Sequence, residues 1–207
     1  MKKTILIFLA VLLIISGNSF ADTPNVELEM DNNYNPPGML AVYIETKETD
    51  TLWEKTTYYS DGSKSVIGVD ISEAIITEYD PEEIGPLGVD PGTGSGGTGY
   101  RNYQGARVYF ESLAVRGQFY ADFSLVNRGN DSITRIYNYS ISIAGGTYDL
   151  EYFGVIQAVE GYYPASAELR WQANRVGYFG YTCRLTLHVG NDSFWETHFF
   201  DDGIVYP

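Results

Sequence analysis

Hydrophobic and polar residues alternate with a period of two along most of the chain after residue 38. This alternation is typical of β-strands with one buried face, because successive side chains point to opposite sides of a strand. Helical periodicity is nearly absent after residue 21. The sequence therefore predicts an all-β protein, folded as an antiparallel β-sandwich of the immunoglobulin-like or jelly-roll kind.

Five runs show the alternation, and each is expected to turn its apolar positions inward. These positions are Leu40, Val42 and Ile44; Phe119, Ala121, Phe123 and Leu125; Tyr137, Tyr139, Ile141 and Ile143; Ala167, Leu169, Trp171 and Ala173; and Phe179, Tyr181, Cys183, Leu185, Leu187 and Val189.

The string Gly-Asn-Asp-Ser occurs twice, at 129–132 and 190–193, each time between alternating runs. Asparagine and aspartate tolerate the left-handed backbone of tight turns, so both copies are predicted to form hairpin turns. A turn centred on Asn191 and Asp192 pairs Val189 with Phe194 and Leu187 with Glu196. His188 then opposes Trp195 on the other face, which would also carry Phe199.

The segment 85–99 contains seven glycines and two prolines in fifteen residues. This composition predicts a linker or a long loop. It divides the chain after residue 21 into an N-terminal β-rich segment, 22–84, and a C-terminal β-sandwich domain, 100–207. The N-terminal segment either forms a unit of its own or adds strands to the same sandwich.

Residues 1–21 have the pattern of a secretory signal peptide. Lys2 and Lys3 precede an uncharged apolar run, and small residues stand at Ser19 and Ala21. The predicted location after cleavage near Ala21 is secreted or periplasmic. The residue directly after the predicted cleavage site is not a cysteine, which disfavours a lipid anchor.

The chain carries 27 acidic and 13 basic residues, a formal net charge of −14. Affinity for nucleic acids comes mainly from basic side chains, so DNA and RNA are not expected as partners, and membrane insertion is not expected either. Cys183 is the single cysteine and lies in phase with apolar neighbours. It is predicted to be a buried, inert thiol rather than part of a disulfide scaffold.

The sequence contains no strong catalytic signature. Gly92, Gly94 and Gly97 fit a dinucleotide-binding spacing, but no strand and helix surround them. Two histidines are too few for a zinc site. No cofactor is expected, although calcium is possible where loops offer oxygen ligands, at Asp31-Asn32-Asn33, at Asp80 with Glu82 and Glu83, and at Asp201-Asp202. A glycosidase needs two facing carboxylates, and the candidates are Glu111, Glu151, Glu160, Glu168 and Glu196.

Eighteen tyrosines and three tryptophans are many for a chain of 207 residues. Aromatic rings on a sheet face or a loop suit sugar rings and protein interfaces alike. The candidate ligand-binding residues are Tyr162, Tyr163, Tyr178, His188 and Trp195. The sequence thus favours a non-enzymatic protein that binds a glycan or a cell-surface or matrix protein. The alternatives are a sandwich hydrolase acting on polysaccharide and a small outer-membrane β-barrel.

Overall fold

The computed structural model describes residues 41–79, 99–175 and 180–201. The described residues form eleven β-strands and no helix. The predicted signal peptide, almost all of the predicted linker and Tyr178 lie outside the described residues. The strands are β1 (Ala41–Glu48), β2 (Leu52–Tyr59), β3 (Lys64–Asp70), β4 (Ile75–Tyr79), β5 (Tyr100–Ser112), β6 (Val115–Val126), β7 (Ser132–Ile143), β8 (Gly146–Gln157), β9 (Ala165–Arg175), β10 (Tyr181–Gly190) and β11 (Ser193–Asp201).

The strands form two antiparallel sheets, which confirms the predicted antiparallel β-sandwich. The larger sheet has the order β1-β2-β3-β5-β6-β7, with β4 also paired to β5, and the smaller has the order β11-β10-β9-β8. Neighbouring strands in each sheet follow one another along the chain, apart from β4, which pairs with β5 beyond the end of β3. Each sheet is therefore a meander, and the chain passes from one to the other between β7 and β8.

The strands that precede the glycine-rich segment belong to the same sheet as those that follow it. Residues of β3 pair with the C-terminal half of β5, from Asp70↔Arg107 to Ser65↔Ser112. Residues of β4 pair with its N-terminal half, from Tyr79↔Tyr100 to Ile75↔Gln104. The residues on both sides of 80–98 thus build one sheet. No helix long and apolar enough to cross a membrane is found in the described part of the chain.

The core lies between the two sheets, and three of the five predicted inward faces supply most of it. The described apolar positions predicted for β6, β9 and β10 are buried or pack against the core. Burial of such apolar surface is the main term that stabilises a sandwich. Fully buried side chains include Phe119, Phe123, Leu169, Trp171, Cys183, Leu185, Leu187 and Val189.

Trp171 is completely buried in this core, where Gly117 of the facing sheet makes room for it. A Cβ atom built at Gly117 would lie 2.5 Å from Cη2 of the Trp171 ring. Only glycine allows the indole to approach the β6 backbone this closely.

Two predicted inward faces differ from the structure. In β7, Asn138 has a positive φ of 52° at a register shift, so the alternation changes phase there. Tyr137 consequently stacks on Tyr120 on the outer face, whereas Ile141 packs against the core. In β1, Val42 is 62% exposed because β1 is an edge strand of the larger sheet.

The predicted register of the last hairpin is confirmed. Val189 pairs with Phe194, Leu187 with Glu196 and His188 with Trp195, and Asn191 and Asp192 both have positive φ. The first Gly-Asn-Asp-Ser string does not form an equivalent turn. There the positive φ belongs to Arg128, and the connection spans residues 127–131.

Candidate functional site

The outer face of the four-stranded sheet carries the two sequence-predicted site residues that lie on strands. Cross-strand pairing places Trp195, His188, Ser166 and Gln157 in one row that crosses all four strands. We call this set the aromatic row. It lies at the end of the sheet where β8 and β10 finish and β9 and β11 begin.

The rings of Trp195 and His188 are stacked, with centroids 5.3 Å apart and planes inclined by 15°. Nε2 of His188 is hydrogen-bonded to Oγ1 of Thr197 at 3.0 Å. Burial lowers the pKa of His188 from its ordinary value, which favours the neutral ring. The stack is therefore a pair of uncharged rings whose orientation is held by Thr197.

Tyr162 and Tyr163 lie in the β8–β9 connection, beside the other end of the aromatic row. Nε2 of Gln157 donates hydrogen bonds to the carbonyl oxygens of Val159 and Tyr163, at 3.0 and 2.9 Å. The side chains of Tyr162 and Tyr163 are 94% and 66% exposed, and their rings are perpendicular at 4.8 Å. The structure thus places four of the five predicted site residues at one end of the smaller sheet.

A buried carboxylate lies on the same outer face, two residues along β9 from the aromatic row. Glu168 is only 5% exposed, and its carboxylate lies 3.0 Å from Nε of Arg170 and 3.4 Å from Nε of Arg184. The guanidinium of Arg170 lies over the Tyr152 ring, 5.7 Å from its centroid. Glu168 is therefore a buried carboxylate that forms ion pairs with two arginines.

The other carboxylates proposed for catalysis are dispersed. Glu151 approaches Arg170 at 4.0 Å, and Glu111 pairs with Arg107 on the larger sheet. Glu160 accepts backbone hydrogen bonds from two connections, and Glu196 is buried on the inner side of β11. Within the described ranges, no three or more His, Cys, Asp or Glu side chains are grouped so that they could hold a metal ion.

A solved structure of a hypothetical protein from Listeria monocytogenes EGD-e is similar to this chain. The two are 17% identical over 72% of this chain and 94% of the other, with a TM-score of 0.34. No family model matches the chain, and no curated protein does.

Arg170, Arg184 and Glu168 were not predicted as a group. The sequence offers Glu168 only as one of five candidate glycosidase carboxylates, and it singles out neither arginine. Arg184 lies four residues before His188 on β10, so the two side chains share a face of the strand. The alternation alone therefore predicts that Arg184 points outward. Its proximity to Glu168 depends on the pairing Arg184↔Arg170 between β10 and β9, which no local pattern encodes.

Proposed function

We propose that this protein is an exported, non-enzymatic β-sandwich that binds a glycan on the outer face of its four-stranded sheet. The observation that carries the proposal is the Trp195–His188 stack on an outer sheet face. Flat neutral rings offer the apolar surface on which the C–H groups of a pyranose pack. The partly exposed position of these rings distinguishes them from Trp171, which is completely buried.

Polar groups beside the stack support the same proposal. Thr197 lies one row further along the sheet and is exposed, and Arg184 and Arg170 lie in the row after that. Hydroxyl and guanidinium groups supply the directed hydrogen bonds that give a sugar site its specificity. Both arginines form ion pairs with Glu168, which would reduce the side-chain entropy lost when a ligand binds.

The test is binding of the full chain to a glycan array and to insoluble polysaccharides, followed by titration of the ligand that is found. We expect Trp195→Ala to weaken binding about tenfold, because it removes the ring face. The matched control is Tyr79→Ala. Tyr79 also belongs to a partly exposed stacked pair, with Tyr100, but at the β4–β5 ladder of the other sheet.

Equal losses from both variants, or the absence of any glycan ligand, would overturn the proposal. Release of reducing ends from the polysaccharides would instead identify a hydrolase. Retention without release supports a binding protein.

A second candidate is recognition of a cell-surface or matrix protein through Tyr162 and Tyr163. It is favoured by the 94% exposure of Tyr162, since exposed tyrosines are common anchors of protein interfaces. Tyr162→Ala with Tyr163→Ala should then abolish adhesion to cells or matrix while glycan binding by the Trp195 face is unchanged.

A further inference from the structure

A cleft of about 330 Å³ lies between the β1–β2 turn and the first residues of β11. It exists because the two sheets differ in width. The smaller sheet ends at β11, which packs opposite β3, whereas β2 and β1 continue beyond it. The inner face of β1 and β2 is thus left open beside β11. The volume is at the lower end of the range of about 300 to 1,000 Å³ for small-molecule sites.

One wall of the cleft changes from charged to apolar towards the core. Glu48 pairs with Trp53, and Trp53 pairs with Val69, so these three residues form one inward row across β1, β2 and β3. All three line the cleft. Val69 is buried, Trp53 is half-buried and Glu48 is exposed. A ligand along this row meets an acid at the opening and apolar surface at depth.

The opposite wall is aromatic. Phe194 lines the cleft and also packs against the core rings of Tyr103 and Phe123, which fixes its position. Trp195 lines it as well. One face of the Trp195 ring is covered by His188 of β10.

The residues that line the cleft carry negative charge only. Glu48 and Asp50 contribute carboxylates, and no lysine, arginine or histidine is among the lining residues. Lys55 lies on the same face of β2 as Trp53, two residues further along, and does not line the cleft. Carboxylates beside aromatic rings are the chemistry that recognises organic ammonium ions.

We infer that this cleft binds an alkylammonium ion. The apolar chain lies between Trp53 and Phe194, and the ammonium group lies at the opening beside the carboxylates of Glu48 and Asp50. The positive charge of this ligand is complementary to the carboxylates of the cleft and to the net charge of −14 of the chain. The ion is either a free amine or the side chain of a lysine in a partner, since both present the same groups.

The test is titration of the full chain with n-hexylammonium chloride, followed by tryptophan fluorescence and calorimetry at low ionic strength. We expect saturable binding that weakens with added salt. Hexan-1-ol, which lacks the charge, should bind at least about tenfold more weakly, and hexanoate should not bind. Glu48→Gln with Asp50→Asn should weaken n-hexylammonium binding about tenfold.

The matched control is Asp149→Asn with Glu151→Gln, which removes the same charge from β8 at the far edge of the smaller sheet and should leave binding unchanged. Equal binding of hexan-1-ol, no saturable binding of n-hexylammonium, or equal losses in the two double variants would overturn the inference.

Titration with Nα-acetyl-lysine methylamide distinguishes the two sources of the ammonium group, a lysine side chain of a partner and a free amine. Binding as tight as that of n-hexylammonium indicates a lysine side chain, and weaker binding indicates a free amine. None of these variants alters Trp195, so failure here leaves the glycan proposal standing.

Discussion

The carboxylate of Asp131 accepts a hydrogen bond from the backbone N–H of Asp192, 61 residues later in the chain, at 2.9 Å. The two residues occupy the same position in the two Gly-Asn-Asp-Ser strings. The other oxygen of Asp131 accepts from the N–H of Val126 at 2.7 Å. Glu160 completes the group, because its carboxylate accepts from the N–H groups of Asp131 and Asn191. Two carboxylates therefore join the β6–β7, β8–β9 and β10–β11 connections.

Because of this relationship, the two equivalent aspartates contribute unequally to the stability of the protein. Asp131 is completely buried, whereas Asp192 is exposed. Asp131→Asn replaces one accepting oxygen by an NH2 group that faces a backbone N–H, so we expect the free energy of unfolding to fall by about 2 kcal/mol. Asp192→Asn should change it by less than about 0.5 kcal/mol. Urea denaturation measures both, and equal effects would contradict the assignment.

The contact between Gly117 and Trp171 yields a second expectation. Gly117→Ala places a methyl group 2.5 Å from Cη2 of the Trp171 ring, which overpacks the core. We expect the free energy of unfolding to fall by about 2 to 3 kcal/mol. The near-ultraviolet circular dichroism of Trp171 should also decrease. Gly161→Ala is the control. A Cβ there has no atom nearer than 3.9 Å, and its φ is not in the left-handed region. A Gly117→Ala protein as stable as the Gly161→Ala protein would show that the core repacks freely.

Glu196 and His198 make stability depend on pH in opposite directions. Both lie on the inner side of β11, where His198 stacks on Phe110. Burial raises the pKa of Glu196 to about 8 and lowers that of His198. The native state therefore holds the Glu196 proton more tightly than the unfolded state and the His198 proton less tightly. Stability should fall as pH rises from about 4.5 to 8 through Glu196, and as pH falls below about 6.5 through His198.

We therefore expect maximum stability between about pH 4.5 and 6.5, where the two effects offset each other, and a loss on the order of 2 kcal/mol from there to pH 8. Glu196→Gln should remove the alkaline loss and keep the acid one, because glutamine stays neutral. Thermal unfolding from pH 4 to 9 measures this. Lys55 faces the same region and opposes the rise in the pKa of Glu196. If the Glu196→Gln protein loses as much stability towards pH 8 as the unchanged protein does, another group is responsible for the loss.

Cys183 should be unreactive while the protein is folded. Its side chain is fully buried in the core, and burial raises the pKa of the thiol far above its ordinary value. The reactive thiolate is therefore scarce and inaccessible. We expect 5,5′-dithiobis(2-nitrobenzoic acid) to label the native protein at the rate of unfolding, with labelling that accelerates in urea. Rapid stoichiometric labelling in buffer would place the thiol at the surface.

Part of the candidate site was predictable because its geometry is local. The pairing of His188 with Trp195 follows from a two-residue turn at Asn191 and Asp192, whose sequence sets the register of the hairpin. The burial of Trp171 follows from its phase with Leu169. The Glu168–arginine group and the cleft beside Trp53 were not predictable, since each brings together side chains of different strands.

The sequence by itself determined that the protein is an antiparallel β-sandwich, which faces of β6, β9 and β10 turn inward, and how the last hairpin pairs. These properties depend on alternation and turn chemistry within a few residues. Tertiary structure decided that β3 and β4 both pair with β5, that Asn138 shifts β7 out of phase, and that Asp131 reaches Asp192. Pairing between distant strands depends on the apolar area that the whole molecule buries, and that area cannot be predicted from the sequence of a single strand.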